Sequence, residues 1–192
     1  GSNVSNTLSL STGNDKSQSY ISVATTNAAG IMPNNDYDRY NFSFRNTTNF
    51  LNNKFILDTS ANYIIQNDKN MVSQGQYFNP LTSLYLFPRG EDFSDVTVYE
   101  RYDDLSGVNT QYWPYGDLGG VSSQNPYWIM NRMNRENDRR RYKLAASLQY
   151  NIIEGLNVQG RVSIDNTESK YTEKFHAGTV GNFAGPKGRY KE

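Results

Sequence analysis

With 192 residues, nineteen acidic and nineteen basic, the chain has room for one or two domains and no net charge to draw it to nucleic acid. It has no cysteine, which excludes a disulfide framework and thiol chemistry, and a single histidine argues against a histidine-built metal site. Hydrophobic residues reach only 36% while aromatics reach 14%, a mix suited to one wet face, one apolar face and polar loops.

No run approaches the roughly eighteen apolar residues of a membrane helix, and no signal peptide is visible. Gly1-Ser2 reads as a tag remnant on a piece of a longer chain. Residues 4–12 (VSNTLSLST) alternate weakly, with Leu8 and Leu10 on one face, and residues 13–17 (GNDKS) form a turn. Residues 18–27 (QSYISVATTN) are β-branched enough for a second strand, with an apolar face open between Tyr20/Ala24 and Ile21/Val23. Residues 28–38 (AAGIMPNNDYD) read as a longer loop.

The strongest signal lies in residues 39–66. Tyr40, Phe42, Phe44 and Phe50 alternate with Arg39, Asn41, Ser43, Arg45 and Asn49, and Phe55, Leu57, Ala61, Tyr63 and Ile65 repeat the pattern. Period two means strand, because successive side chains point to opposite faces. Asn52-Asn53 reads as a two-residue turn, since Asn tolerates positive φ. That turn sets Phe50 opposite Phe55, Thr48 opposite Leu57, Phe44 opposite Ala61, Phe42 opposite Tyr63 and Tyr40 opposite Ile65. The reverse face pairs Arg45 with Ser60 and Thr47 with Asp58, with Ile56 and Ile64 as the imperfections.

Residues 67–139 show no sustained period, yet contain Tyr77, Phe78, Tyr85, Phe87, Phe93, Trp113, Tyr115, Tyr127 and Trp128. An ordered excursion is expected, with local elements near residues 81–87 and 128–134. Alternation resumes at Tyr142. Pairing Tyr150 with Val158, Leu148 with Gly160, Ala146 with Val162 and Leu144 with Ile164 keeps one face apolar and leaves a loop of Ile153, Glu154 and Gly155. The strand after it extends toward residue 175, and residues 176–192 are Gly-rich. Short links therefore gather at one end of about six strands and long ones at the other, as in outer-membrane barrels. Pattern alone leaves a β-sandwich equally open.

The words LSLSTGNDKSQSYISVATTNAAGI, DRYNFSFR, FNPLTSLYLFPRGEDF, NPYWIMNRM, RYKLAASLQYNIIEGLNVQGRVSID and FAGPKGRY, in this order and spacing, resemble the SusC/RagA family of TonB-dependent outer-membrane transporters. The resemblance implies an all-β, antiparallel up-and-down meander, a segment of a 22-stranded transmembrane β-barrel in the cell outer membrane. Residues 1–66 would give four strands, 67–141 a long extracellular loop, 142–175 a barrel hairpin and 176–192 the start of the next external loop. The parent would import a glycan or oligopeptide with a SusD-like lipoprotein and TonB, and would contact lipid. No plug and no TonB-contacting box is present in these residues. The alternative is a secreted or surface carbohydrate-binding β-sandwich.

Transport needs no catalytic residue, no cofactor and no metal. The expected lumen-facing polar residues are Arg45, Asp58, Ser60, Asn62, Gln149, Gln159 and Arg161. The expected ligand- or partner-binding loop residues are Tyr77, Phe78, Trp113, Tyr115, Tyr127 and Trp128, whose aromatic faces suit sugars or an interface. The blander reading makes them a small core holding the loop together. Asp103-Asp104 and Glu91-Asp92 read as solvated loop charges before a glycosidase pair. Asn34-Asn35-Asp36 with Asp38 reads as turn chemistry before a calcium site. Arg139-Arg140-Arg141 reads as a solvated strand end, with lipid phosphates as the sharper option. Tyr40, Phe50, Phe55, Tyr63, Tyr142 and Tyr150 would form aromatic girdles at a lipid interface. With unpaired edges and an apolar face, the isolated chain is expected to self-associate.

Overall fold

A computed structural model describes residues 1–115 and 123–192. It contains one antiparallel sheet of seven strands, in the order β1-β2-β3-β4-β7-β8-β9. The strands are β1 (Ser2–Gly13), β2 (Ser17–Ala29), β3 (Asp36–Phe50), β4 (Phe55–Lys69), β7 (Met133–Ile153), β8 (Leu156–Phe175) and β9 (Arg189–Lys191). The chain meanders from neighbour to neighbour, interrupted only between β4 and β7. There it carries α1 (Pro80–Tyr85), a 3-10 turn (Phe93–Thr97), the hairpin β5 (Glu100–Asp103) and β6 (Val108–Gln111), and α2 (Pro126–Arg132).

The central pairings agree with the sequence pattern. Phe50 faces Phe55, Phe44 faces Ala61 and Phe42 faces Tyr63, and Leu148 faces Gly160 and Leu144 faces Ile164. The register of the first strands, open in the sequence, is set by β3. Ile21 lies opposite Phe44 and Val23 opposite Phe42, while Leu10 and Leu8 pair with Ile21 and Val23. Tyr20 falls opposite Arg45 and so belongs to the polar face.

Several boundaries differ from expectation. The link after β2 shrinks from eleven expected residues to residues 30–35, because Asn35 is tied back to the Asn70 carbonyl. β7 begins at Met133, nine residues before Tyr142, and the excursion is confined to residues 70–132. The first half of β7 (NRENDRRR) is polar on both faces, so no hydrophobic alternation betrays it. The β3–β4 turn spans Leu51, Asn52, Asn53 and Lys54, the first three at positive φ. Asn151 on β7 takes the Asn53 carbonyl (2.7 Å) and the Lys54 carbonyl (2.8 Å), which holds this wider turn. The β7–β8 turn is Glu154-Gly155, with Ile153 paired to Leu156 and the register shifted after Asn151. Gly155 carries the left-handed φ of 81° that such a turn demands. The tail adds β9, whose pairing with the end of β8 the sequence did not suggest.

Apolar side chains gather on one face over six strands, from the row of Phe50, Phe55, Tyr150 and Val158 to that of Tyr40 and Ile65. With strands about 4.8 Å apart and about 3.3 Å per residue, the patch covers on the order of 800 Å². A monomer in water seldom shows more than about 300–600 Å². Among the described residues no second sheet covers it, as the sandwich alternative would require. Phe42, Phe44, Tyr63, Tyr142 and Leu144 remain 40–46% exposed.

Among the described residues the packed core lies at the end of the sheet where the long links gather. Trp128, Ile129, Met133, Phe175 and Ala184 form it, with Phe78, Tyr99 and Phe183 packed against it. Each helix of this cap starts with Asn-Pro. Asn79 and Asn125 accept hydrogen bonds from the amides of Leu81 and Tyr127, and Pro occupies the first helical position. Met133 and Phe175 face each other on the same side of the sheet as Arg139 and Ser169. The cap therefore rests on the polar side and leaves the apolar band free.

Candidate functional site

Two surfaces carry chemistry: the polar face of the sheet and the cap at its end. On the polar face the alternation brings Arg45, Asp58, Ser60, Asn62, Gln149, Gln159 and Arg161 to one side, across four adjacent strands. Arg45 donates to Asp58 through Nε (3.0 Å) and Nη2 (2.8 Å), and Thr47 Oγ1 adds a third bond at 2.9 Å. Arg161 lies close enough to Asp58 to act on it electrostatically. Ser43 donates to Asn62 at 2.9 Å, and Gln149 donates to Asn151 at 2.8 Å.

The charges missing from the expected set complete this face. Arg141 clamps Asp165 at 2.8 and 2.5 Å, and Arg139 reaches Ser169 at 3.3 Å. The basic run is split by the strand period: Arg139 and Arg141 join the polar face and Arg140 alone joins the apolar side. Lys143, opposite Asn62, also points to the polar face. Ser60, Ala145 and Ser163 form one cross-strand row of small residues. They floor a concavity of about 330 Å³ rimmed by Arg45, Lys143 and Arg161. Alternation alone would have found Lys143 and Ser147, since both share the parity of Gln149.

Other hollows lie elsewhere on the sheet. One of about 670 Å³ lies beside the first turn, against Asn14, Gln18, Arg45 and Thr47. Another, of about 540 Å³, lies near the cap and is lined mainly by residues of apolar-side parity such as Asp36, Asp38, Glu136 and Asp138.

The aromatic residues of the excursion separate into clusters. Trp128, expected among the ligand contacts, is fully buried and donates through Nε1 to Thr179 at 3.2 Å, so it serves the cap's own core. Phe78 packs between Phe175 (5.7 Å) and Phe183 (5.0 Å). Tyr77 sits 5.6 Å from Phe183 and stays 43% exposed. Trp113, Tyr115 and Phe87 form a second cluster, with Trp113 Nε1 donating to Ser123 at 2.9 Å. Tyr127 stacks on Tyr99 at 6.4 Å. Five of the six are thus at least partly accessible, on three separate patches, and no single platform unites them. Sequence reasoning missed the contribution of the tail: Thr179, Phe183 and Ala184, beyond β8, join Phe175 at its end to complete the core.

Polar side chains hold the cap as firmly. Asn125 donates to the carbonyls of Val96 (2.9 Å) and Tyr112 (3.1 Å) while capping α2. Gln124 donates to the Tyr77 carbonyl at 2.6 Å. Glu100 and Arg132 form a two-armed bridge at 2.8 Å, and this hydrogen-bonded guanidinium holds the Glu100 carboxyl below its ordinary range. Asp92 accepts from the Ser94 amide and Asp103 from the Leu105 amide, both turn functions. Asn34 bonds the Met130 carbonyl and Asn131, strapping the β2–β3 link to α2. Compared with known proteins, the chain matches no family model and no curated sequence.

Proposed function

We propose that the chain is a wall segment and external cap of a TonB-dependent outer-membrane transporter of SusC/RagA type, importing a glycan or oligopeptide. One observation carries the reading: an apolar band on six strands that nothing among the described residues covers, backed by a largely polar face. Such a sheet is stable only where hydrocarbon meets one side and water the other. The distances suit this. Tyr142 and Tyr150, at the two aromatic rows, lie eight residues apart on β7, about 27 Å along the strand. Tilted by about 40°, that length spans about 20 Å, close to the roughly 25 Å apolar band of outer-membrane barrels.

In this reading the tight turns face the periplasm and the cap faces outward. The polar face lines the passage, and the cap presents Tyr77 and the Trp113 cluster to cargo or to a SusD-like lipoprotein. TonB acts through the parent protein. No helix of the described residues is long and apolar enough to cross a membrane, so any crossing falls to the strands. Mixed with phospholipid vesicles, the chain is expected to float with the lipid on a density gradient and to resist extraction by salt. Recovery as a monodisperse aqueous monomer contradicts the proposal.

A further inference from the structure

The chain is neutral as a whole, but its polar face is not. Between the row of Arg39 and Arg139 and the row of Asp58 and Arg161, that face carries Arg39, Arg45, Arg139, Arg141, Lys143 and Arg161. Only Asp58 and Asp165 oppose them, which leaves a surplus of four positive charges. Over the same rows the apolar face holds Arg140 and Glu168 alone, which cancel. The compensating carboxylates Asp36, Asp38, Glu136 and Asp138 lie beyond the band near the cap.

The surplus converges on the hollow floored by Ser60, Ala145 and Ser163. Its single carboxylate, Asp58, already accepts three hydrogen bonds, two from Arg45 and one from Thr47. Two cations, Lys143 and Arg161, neither held in a salt bridge among the described residues, thus flank a depression with three serine hydroxyls (Ser60, Ser147 and Ser163).

We propose that this hollow binds a carboxylate-bearing oligosaccharide, one acidic sugar unit at a time; the inference rests on the transporter reading, in which this face lines the passage. Arg161 suits two-armed recognition of the carboxylate and Lys143 supplies a second point charge. The serine hydroxyls both donate and accept, as the hydroxyls of a sugar require. A volume of about 330 Å³ accommodates one ring and not a folded partner. A sugar ring brings several hydroxyls within the span of one unit, whereas an acidic peptide offers one N–H and one C=O per residue along an extended chain. Low-dielectric walls beside the passage would focus the positive field and draw anionic cargo in.

The test is calorimetric titration of the full chain refolded in detergent micelles, at low salt. A galacturonic acid hexamer, a neutral glucose hexamer and a glutamate hexamer serve as probes. The uronate hexamer is expected to bind about tenfold or more tightly than the neutral one. The double variant Lys143→Gln/Arg161→Gln is expected to lose that preference, and raising the salt to erode it. Lys170→Gln/Lys174→Gln, on the apolar side near the cap, should bind as the parent does. Equal binding of the two sugars, or an unchanged double variant, overturns the proposal. Binding of the glutamate hexamer as tightly as the uronate overturns the assignment to sugar. A chain that never enters micelles refutes the transporter reading itself, whereas a chain that inserts without preferring the anion refutes this inference alone.

Discussion

At the scale of single residues, position in the ladder decides meaning. Leu148 and Gln149 are neighbours in sequence but lie on opposite faces, opposite Leu57 and Ile56. Leu148→Lys is expected to cost about 2–4 kcal/mol in urea titrations of lipid-folded protein, and Gln149→Lys less than about 1 kcal/mol. Equal costs would deny the distinction between faces. Trp128 anchors the cap, and Trp128→Ala should destabilise it by about 3–5 kcal/mol, seen as faster amide exchange in residues 70–115 and 123–132. The Glu100–Arg132 pair adds a pH dependence. Because the Glu100 carboxyl is depressed in the fold, its contribution is fully present above the unfolded value near about 4.5. It is lost as the pH falls through the lower folded value. Acidification to about pH 3 should therefore loosen the cap to protease, and Glu100→Gln should remove part of that response. The sequence offered a small core as one reading of the excursion's aromatics, but not which of them it would bury, because part of the core around Trp128 comes from residues 175–184, some fifty positions away.

At the scale of elements, legibility followed hydrophobic contrast. The β3–β4 and β7–β8 pairings could be read because one face is apolar and a slipped register would mix the faces. The registers of β1 and β2 could not, since Ile21 and Val23 acquire their meaning only opposite Phe44 and Phe42. The first half of β7 and the end of β8 are wet on both sides, so backbone pairing alone defines them. The short β5, β6 and β9 lie below the length at which alternation speaks. The turns were read in kind if not in length. Gly155 sits at φ 81° with open space about it. Gly155→Val should therefore destabilise the hairpin by about 1–2 kcal/mol through backbone strain alone, measured against Gly155→Asn, which tolerates that conformation better.

At the scale of the whole molecule, the sheet has two unfinished edges. β1 is exposed along its entire length, and β9 covers only three residues of β8. An open ladder and an uncovered band of apolar side chains predict association without lipid. Light scattering in plain buffer should report oligomers or aggregates that detergent disperses. The polar face and the cap were partly legible as a site: alternation placed all seven expected polar residues together. The excess of positive charge there was hidden by a net charge of zero.

The measurement that bears most directly on the account is the environment of the two faces in lipid. The chain has no cysteine, so single substitutions at Leu144, Leu148 and Val162, and at Ser60, Ser147 and Ser163, can each carry one nitroxide. In vesicles the first three should be accessible to dissolved oxygen and shielded from a water-soluble nickel chelate, and the second three the reverse. Access of the chelate to both sets alike would contradict a membrane wall.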